Sequence, residues 1–241
     1  MVGKKEIKFI KSLRNKKFRI NNNCFVVEGK KSVNEFLKSD YKLVKLYTVS
    51  KTIINIDKQE VIDKNLLEKI SFLKNPDDYL AIFEFTKPTK IRKNNFIVAL
   101  DSVSDPGNLG TIIRTCEWFG VNDIICSLNT VDCYSPKVIQ SAMGSVSRVN
   151  ISYLDLKKYF EDNKSCLVGT SLNGDSIYDL KKPIKKGVIV FGNESHGVSS
   201  KLQEMMNIKI KIPKYNKSMY PESLNLATSV GIVLSKLMKI S

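Results

Sequence analysis

Three stretches in the second half of the chain carry side chains that could do chemistry together. The first, Leu100 to Arg114, contains Asp105-Pro106-Gly107-Asn108 and ends on an arginine. Pro106-Gly107 forces a turn, Asn108 can cap the helix that follows, and Arg114 lies two turns further in, within reach of the same mouth. The second, Val190 to Val198, sets Asn193, Glu194, Ser195 and His196 between Gly192 and Gly197. Gly192 would let backbone groups approach a ligand, and Glu194 offers a carboxylate. The third runs from Ile212-Pro213 to Ser223-Leu224-Asn225 and opens an apolar helix, with Glu222 or Ser223 as its expected N-cap. A helix start presents free N–H groups and suits a polar or anionic ligand. Neither a dinucleotide fingerprint nor a Walker loop is present in any of the three. His196 is the only histidine; with no orienting partner in view it reads as a loop residue before a catalyst. Taken singly, each stretch also has an ordinary reading: a Pro-Gly turn with a solvated arginine, a polar loop, a capped C-terminal helix.

The elements that must hold these loops alternate. Strands are expected at Phe96–Leu100, Asp123–Cys126, Val149–Ile151, Cys166–Thr170, Val188–Phe191 and Ile208–Ile212. Helices are expected at Asn108–Phe119, Pro136–Met143, Leu154–Phe160 and Ser199–Met205, with a last helix carrying Ala227, Val230, Gly231, Leu234 and Met238 on one face. Continuous apolar strands separated by helices predict a parallel α/β sheet, whose ligands sit beyond the C-terminal strand ends. Upstream, a basic helix over Lys4–Lys17 is followed by strands at Cys24–Val27, Leu43–Val49, Val61-Ile62 and Tyr79–Phe85, with helices after Gly29 and over Asn65–Ile70. The polar, unpatterned stretch Lys87–Asn95 reads as a linker, dividing the chain into domains 1–90 and 91–241.

Net charge is +15 over 241 residues, which points to a polyanionic partner such as RNA, DNA or an anionic membrane. Residues 1–19 hold eight Lys/Arg and one acid, which reads as a basic arm or helix and not a signal peptide, because no long apolar run follows it. No run approaches a membrane span. The five cysteines are odd in number and lack metal-ligand spacing, so reduced thiols and no metal are expected.

In order, Asp105-Pro106-x-Asn108-x-Gly110-(x)3-Arg114, Gly192-Asn193-Glu194-x-x-Gly197 and Ile212-Pro213…Ser223-Leu224-Asn225 resemble the three motifs of the SpoU-type (TrmH) RNA ribose 2′-O-methyltransferases. Lys16-Lys17-x-Arg19…Phe25-Val26-Val27-Glu28-Gly29 resembles the RNA-binding domain often fused to them. The resemblance implies a small, ribosomal-protein-like α/β domain over 1–90 and a SPOUT-type parallel-sheet domain with a C-terminal trefoil knot over 91–241. It implies S-adenosyl-L-methionine as cofactor, a ribose 2′-hydroxyl of structured RNA as substrate (rRNA before tRNA), a homodimer formed through the knotted domain, and a cytoplasmic location. Carried over position by position, Thr170, Gly192, Ile212 and Leu224 would cradle the cofactor, and Asn108, Arg114, Glu194, Ser223 and Asn225 would form the catalytic set. Arg114 would act as the base or would stabilise the developing alkoxide. Ser195 stands where the family commonly has glycine, and the Lys214–Glu222 loop is longer than the compact form. The alternative from another class is a non-catalytic RNA-binding protein.

Overall fold

The structure, a computed structural model, describes residues 2–51, 56, 58–93, 95–180, 183–215 and 223–238. It divides into two compact units, residues 1–87 with 132–148, and residues 88–131 with 149–241.

The first unit begins with α1 (Lys4–Ser12) and α2 (Lys16–Asn22), where a single helix was expected. The break has a local cause. Asn15 caps α2 by accepting from Lys17 N at 2.9 Å, and the carbonyls of Leu13 and Arg14, left without helical partners, accept from Arg19 Nη1 at 2.9 and 2.7 Å. Then come β1 (Cys24–Glu28), α3 (Lys30–Leu37), β2 (Leu43–Thr48), β3 (Gln59–Val61), α4 (Lys64–Ile70) and β4 (Tyr79–Glu84). The strands form one sheet in the order β1-β4-β2-β3, antiparallel except for β2 with β3. One end of its core is aromatic: Phe25 meets Phe36, Tyr41, Phe83 and Phe85, and lies 4.5 Å, centroid to centroid, from Tyr134.

Tyr134 belongs to a stretch far along the chain. Residues 132–148, inside the expected second domain, pack with the first unit, and their helix Pro136–Ala142 buries Val138, Ile139 and Ala142. Arg19, 2% exposed, joins the guanidinium to Asp132 Oδ2 at 2.6 Å.

The second unit contains β5 (Phe96–Leu100), α5 (Pro106–Trp118) and β6 (Asp123–Cys126). The chain then passes through the helix already described (α6) to β7 (Asn150–Tyr153), α7 (Leu156–Asp162), β8 (Leu167–Ser176), β9 (Gly187–Phe191), α8 (Ser200–Gln203), β10 (Ile208–Lys211) and α9 (Leu226–Leu237). The sheet runs β10-β8-β9-β5-β6-β7 with every pair parallel. Every residue of β5, β6 and β9 is buried, which explains their unbroken apolar runs. β8 continues to Ser176, beyond the expected Thr170, because the register with β10 shifts after Lys209 and pairs Ile210 with Asp175. α5 packs along α9, with Thr115 against Gly231.

Candidate active site

The strand order changes direction between β5 and β9. From β5 the chain goes to β6 on one side, and from β9 it goes to β10 on the other. The loops leaving those two C-terminal ends therefore diverge and leave a crevice, the usual place for a ligand in such a sheet.

Both loops are held open by their own polar groups. Beyond β9, Asn193 and Gly197 exchange backbone hydrogen bonds, each at 2.9 Å. That fold-back brings the Gly197 carbonyl carbon to 1.9 Å from where a Cβ on Gly192 would be, so no side chain fits there. Beyond β5, Asp101 is buried, accepts from Ser199 N at 2.8 Å and from Ser102 Oγ at 3.1 Å. Ser102, at φ 59°, turns its carbonyl to accept from Asn193 Nδ2 at 2.8 Å. Asp105 caps α5 by accepting from Asn108 N at 2.6 Å. Asn108 is thus not the cap expected of it; its side chain is free for other work.

That work centres on Glu194. Its Oε1 accepts from Asn108 Nδ2 at 3.0 Å and its Oε2 from Ser104 Oγ at 3.2 Å. Backbone N–H groups of Ser104 and Asp105 reach the same carboxylate at 3.4 Å. Burial alone would raise its pKa, but the hydrogen bonds from Asn108 and from these backbone groups outweigh it and hold the carboxyl below the usual range. A carboxylate only accepts, so Asn108 must turn its NH2 to Glu194 and its Oδ1 away. Asn225 Nδ2 meets that oxygen at 2.9 Å. Asn225 Oδ1 in turn accepts from Thr228 N at 3.2 Å, making Asn225 the N-cap of α9. The helix starts at Leu226, two residues later than a cap at Ser223 would place it; Glu222, the other expected cap, lies outside the described residues. The result is one directed chain, Asn225 to Asn108 to Glu194, through all three loops.

Beside it lies an open cavity of about 1010 Å3. Thr170, Gly192, Glu194, Ile212, Ser223 and Leu224 all line it, and Phe191, Val198 and Val233 give it an apolar floor. Size and lining fit a ligand with both an apolar body and several polar groups. Arg114 stands apart: it is exposed on α5, and no described residue bonds to it.

Residues 95–235 match the SpoU rRNA methylase family, and residues 4–81 match the MRM3-like substrate binding domain. The chain belongs to the SpoU family. One relative, the 23S rRNA (guanosine(2553)-2′-O)-methyltransferase RlmP of Bacillus subtilis, is 28% identical over 237 residues, covering 95% of this chain and 94% of its own. A TrmH-family structure from Porphyromonas gingivalis superposes with a TM-score of 0.88 at 30% identity, covering 98% of both chains. The AdoMet-bound rRNA methyltransferase of Sinorhizobium meliloti gives 0.83 at 28% identity, covering 98% of this chain and 96% of that one. The expected α/β fold, with a parallel-sheet SpoU domain preceded by a second α/β domain, is therefore the observed one.

Within this candidate site, sequence reasoning gave no role to Asp101, Ser102 and Ser104, which brace the loops with Asn193. Their one legible signal was position, directly after two buried strands. His196 is exposed, with Nδ1 3.2 Å from Asn193 Oδ1, a loop-shaping contact. Of the loop Lys214–Glu222, residues 216–222, Met219 among them, lie outside the described residues. Among the described residues no group of three His, Cys, Asp or Glu could hold a metal, and no helix is long and apolar enough to cross a membrane.

Proposed function

We propose that this chain transfers a methyl group from S-adenosyl-L-methionine to a ribose 2′-hydroxyl of RNA, rRNA before tRNA. The observation that carries the reading is the Asn225–Asn108–Glu194 chain at the rim of a cavity lined by all four residues expected to meet the cofactor. Thr170, Gly192, Ile212 and Leu224 would hold it, Gly192 by leaving the backbone bare. When bound, the cofactor supplies an electrophilic methyl on a sulfonium centre.

The protein's own share is positioning and charge. Asn108, Glu194 and Asn225 fix the start of α5 against the start of α9, so that the two helices present one rigid edge to the substrate. Ser223, exposed beside Leu224 on the cavity wall, is placed to meet substrate or cofactor there. Arg114, exposed and unpaired among the described residues, is free to meet RNA phosphate and the ribose oxygen. A guanidinium keeps its proton in nearly all settings, so Arg114 stabilises the developing alkoxide while the hydroxyl proton leaves to phosphate or solvent.

The same reading includes a trefoil knot at the C-terminal end, a division of labour between an RNA-binding part near 1–90 and a catalytic part near 91–241, a homodimer and a cytoplasmic location. The packing of α9 on α5 is compatible with the knot, and Trp118, 85% exposed at the end of α5, offers an apolar anchor to a second copy. Calorimetry with S-adenosyl-L-methionine, with and without chelator, tests cofactor binding. Transfer of labelled methyl to rRNA and to tRNA, followed by mapping of ribose methylation, tests the reaction. Absence of cofactor binding, or methyl found on a base, would overturn it.

A further inference from the structure

α2 is built inside out. Its one arginine, Arg19, is 2% exposed, while Phe18 and Ile20 on either side are 47% and 57% exposed. Ordinary folding energetics bury the phenylalanine and leave the cation in water. Here the guanidinium is held by four hydrogen bonds, to the Leu13 and Arg14 carbonyls and, through Nε and Nη2, to Asp132. That anchor fixes the roll of the short helix about its axis, and so fixes what faces outward. Asn22 Nδ2 adds a bond to the Phe18 carbonyl at 2.8 Å.

The outward surface has a consistent chemistry. Lys16, Lys17, Phe18, Ile20, Asn21, Asn22 and Asn23 are all exposed, and no acidic residue occurs between Glu6 and Glu28. By helical spacing Phe18 shares a side with Asn21, and Ile20 shares the other with Lys16 and Lys17. Phe18 has no ring contact with another described side chain. Protein partners that bury a phenylalanine favour few lysines around it. A half-exposed aromatic ring among lysines and amides instead suits an unstacked nucleobase: the ring face stacks, the amides reach base edges, and the ammonium groups meet phosphate.

We infer that α2 is a stacking platform for an unpaired base of the RNA substrate, with Phe18 as the stacking ring and Arg19 as the buried anchor that presents it. The inference rests on the RNA-binding reading of the first unit and adds that this unit reads a single-stranded feature.

The test uses the full chain, a uridine oligonucleotide and a blunt RNA duplex of the same length. The expected result is that Phe18→Ala weakens binding of the single strand about tenfold, equivalent to about 1.4 kcal/mol. Phe18→Trp restores it, and neither change alters the salt slope or duplex affinity. Lys16→Ser with Lys17→Ser lowers the salt slope instead. Phe18 is exposed, so unchanged melting of the alanine variant is the control. If wild-type protein binds neither RNA, the RNA-binding reading itself fails, and the platform with it. If wild type binds but Phe18→Ala matches it, or weakens duplex and single strand alike, only the platform is overturned. Loss of self-association in Phe18→Ala, with RNA affinity intact, would assign the face to protein contact and overturn it as well.

Discussion

The side-chain amide of Asn225 donates to Asn108 Oδ1 at 2.9 Å across 117 residues of sequence. This bond fixes the amide of Asn108 in one orientation, and that orientation is the one in which Asn108 can donate to Glu194 at 3.0 Å. Each residue type in the chain is therefore required by its neighbour.

Asn108→Asp is the sharpest test of that chain. It replaces the donor facing Glu194 by an acceptor and sets two carboxylates against each other. A hydrogen bond to a charged group contributes about 1.5–3 kcal/mol, so methyl transfer should fall about 10- to 150-fold, and by less in Asn108→Ala, which adds no repulsion. Single-turnover assays at saturating cofactor would show it. Equal activity in the two variants would mean that the donor to Glu194 does not matter.

Glu194 should leave a trace in the pH dependence of stability. Its folded pKa is depressed, so its stabilising contribution is complete above the unfolded glutamate value of about 4.3 and is lost as pH falls through the lower folded value. Urea midpoints of wild type and Glu194→Gln should differ by a constant amount from pH 8 to about 5 and draw together as pH falls below the unfolded value. A difference that stays constant into acid would show that the carboxylate is not specifically held.

What the sequence made legible were the features written in local order: buried strands, the turn at Pro106-Gly107, and the polar residues following each strand. What it hid depended on partners distant in sequence. Asn108 and Ser223 looked like caps because they begin apolar helices, yet Asp105 and Asn225 take those roles, and which neighbour accepts the backbone N–H is settled by the loop's path. Asp101 drew no notice because its bond to Ser199 spans 98 positions. The polar linker suggested a single boundary at 90, but no composition shift marks residues 132–148, whose apolar side chains find the first unit's sheet. A fragment starting at Ile91 would strip that cover and leave Asp132 without Arg19, so variants of the full chain are the sounder probes.

Arg114→Ala should abolish methyl transfer while leaving the melting temperature unchanged and cofactor affinity within a few-fold of wild type, because the side chain is exposed and bonds to no described residue. Arg114→Lys should not rescue, since an ammonium lacks the planar fork that meets two oxygens at once. Cofactor calorimetry alongside single-turnover transfer separates the two effects. Retained transfer in Arg114→Ala would remove this residue from the mechanism.

The basic N-terminal stretch should split into two behaviours. Arg19 belongs with Lys4, Lys5, Lys8, Lys11, Lys16 and Lys17 by sequence, but it is 2% exposed and paired with Asp132 at 2.6 Å. Removing one partner of a buried pair costs about 3–5 kcal/mol, so Arg19→Ala should lower the urea midpoint strongly. The six lysines are exposed or partly so, and their replacement by serine should leave the midpoint nearly unchanged. They should matter in RNA binding instead. Each phosphate contact contributes a slope of about −0.7 to −0.9 in log K against log salt, so losing six contacts should flatten the slope by about 4 to 5. Filter binding of an rRNA transcript across a salt series would measure it. A slope unchanged in the six-lysine variant would show these side chains to be ordinary solvated surface, and would move the RNA contact to another face of the protein.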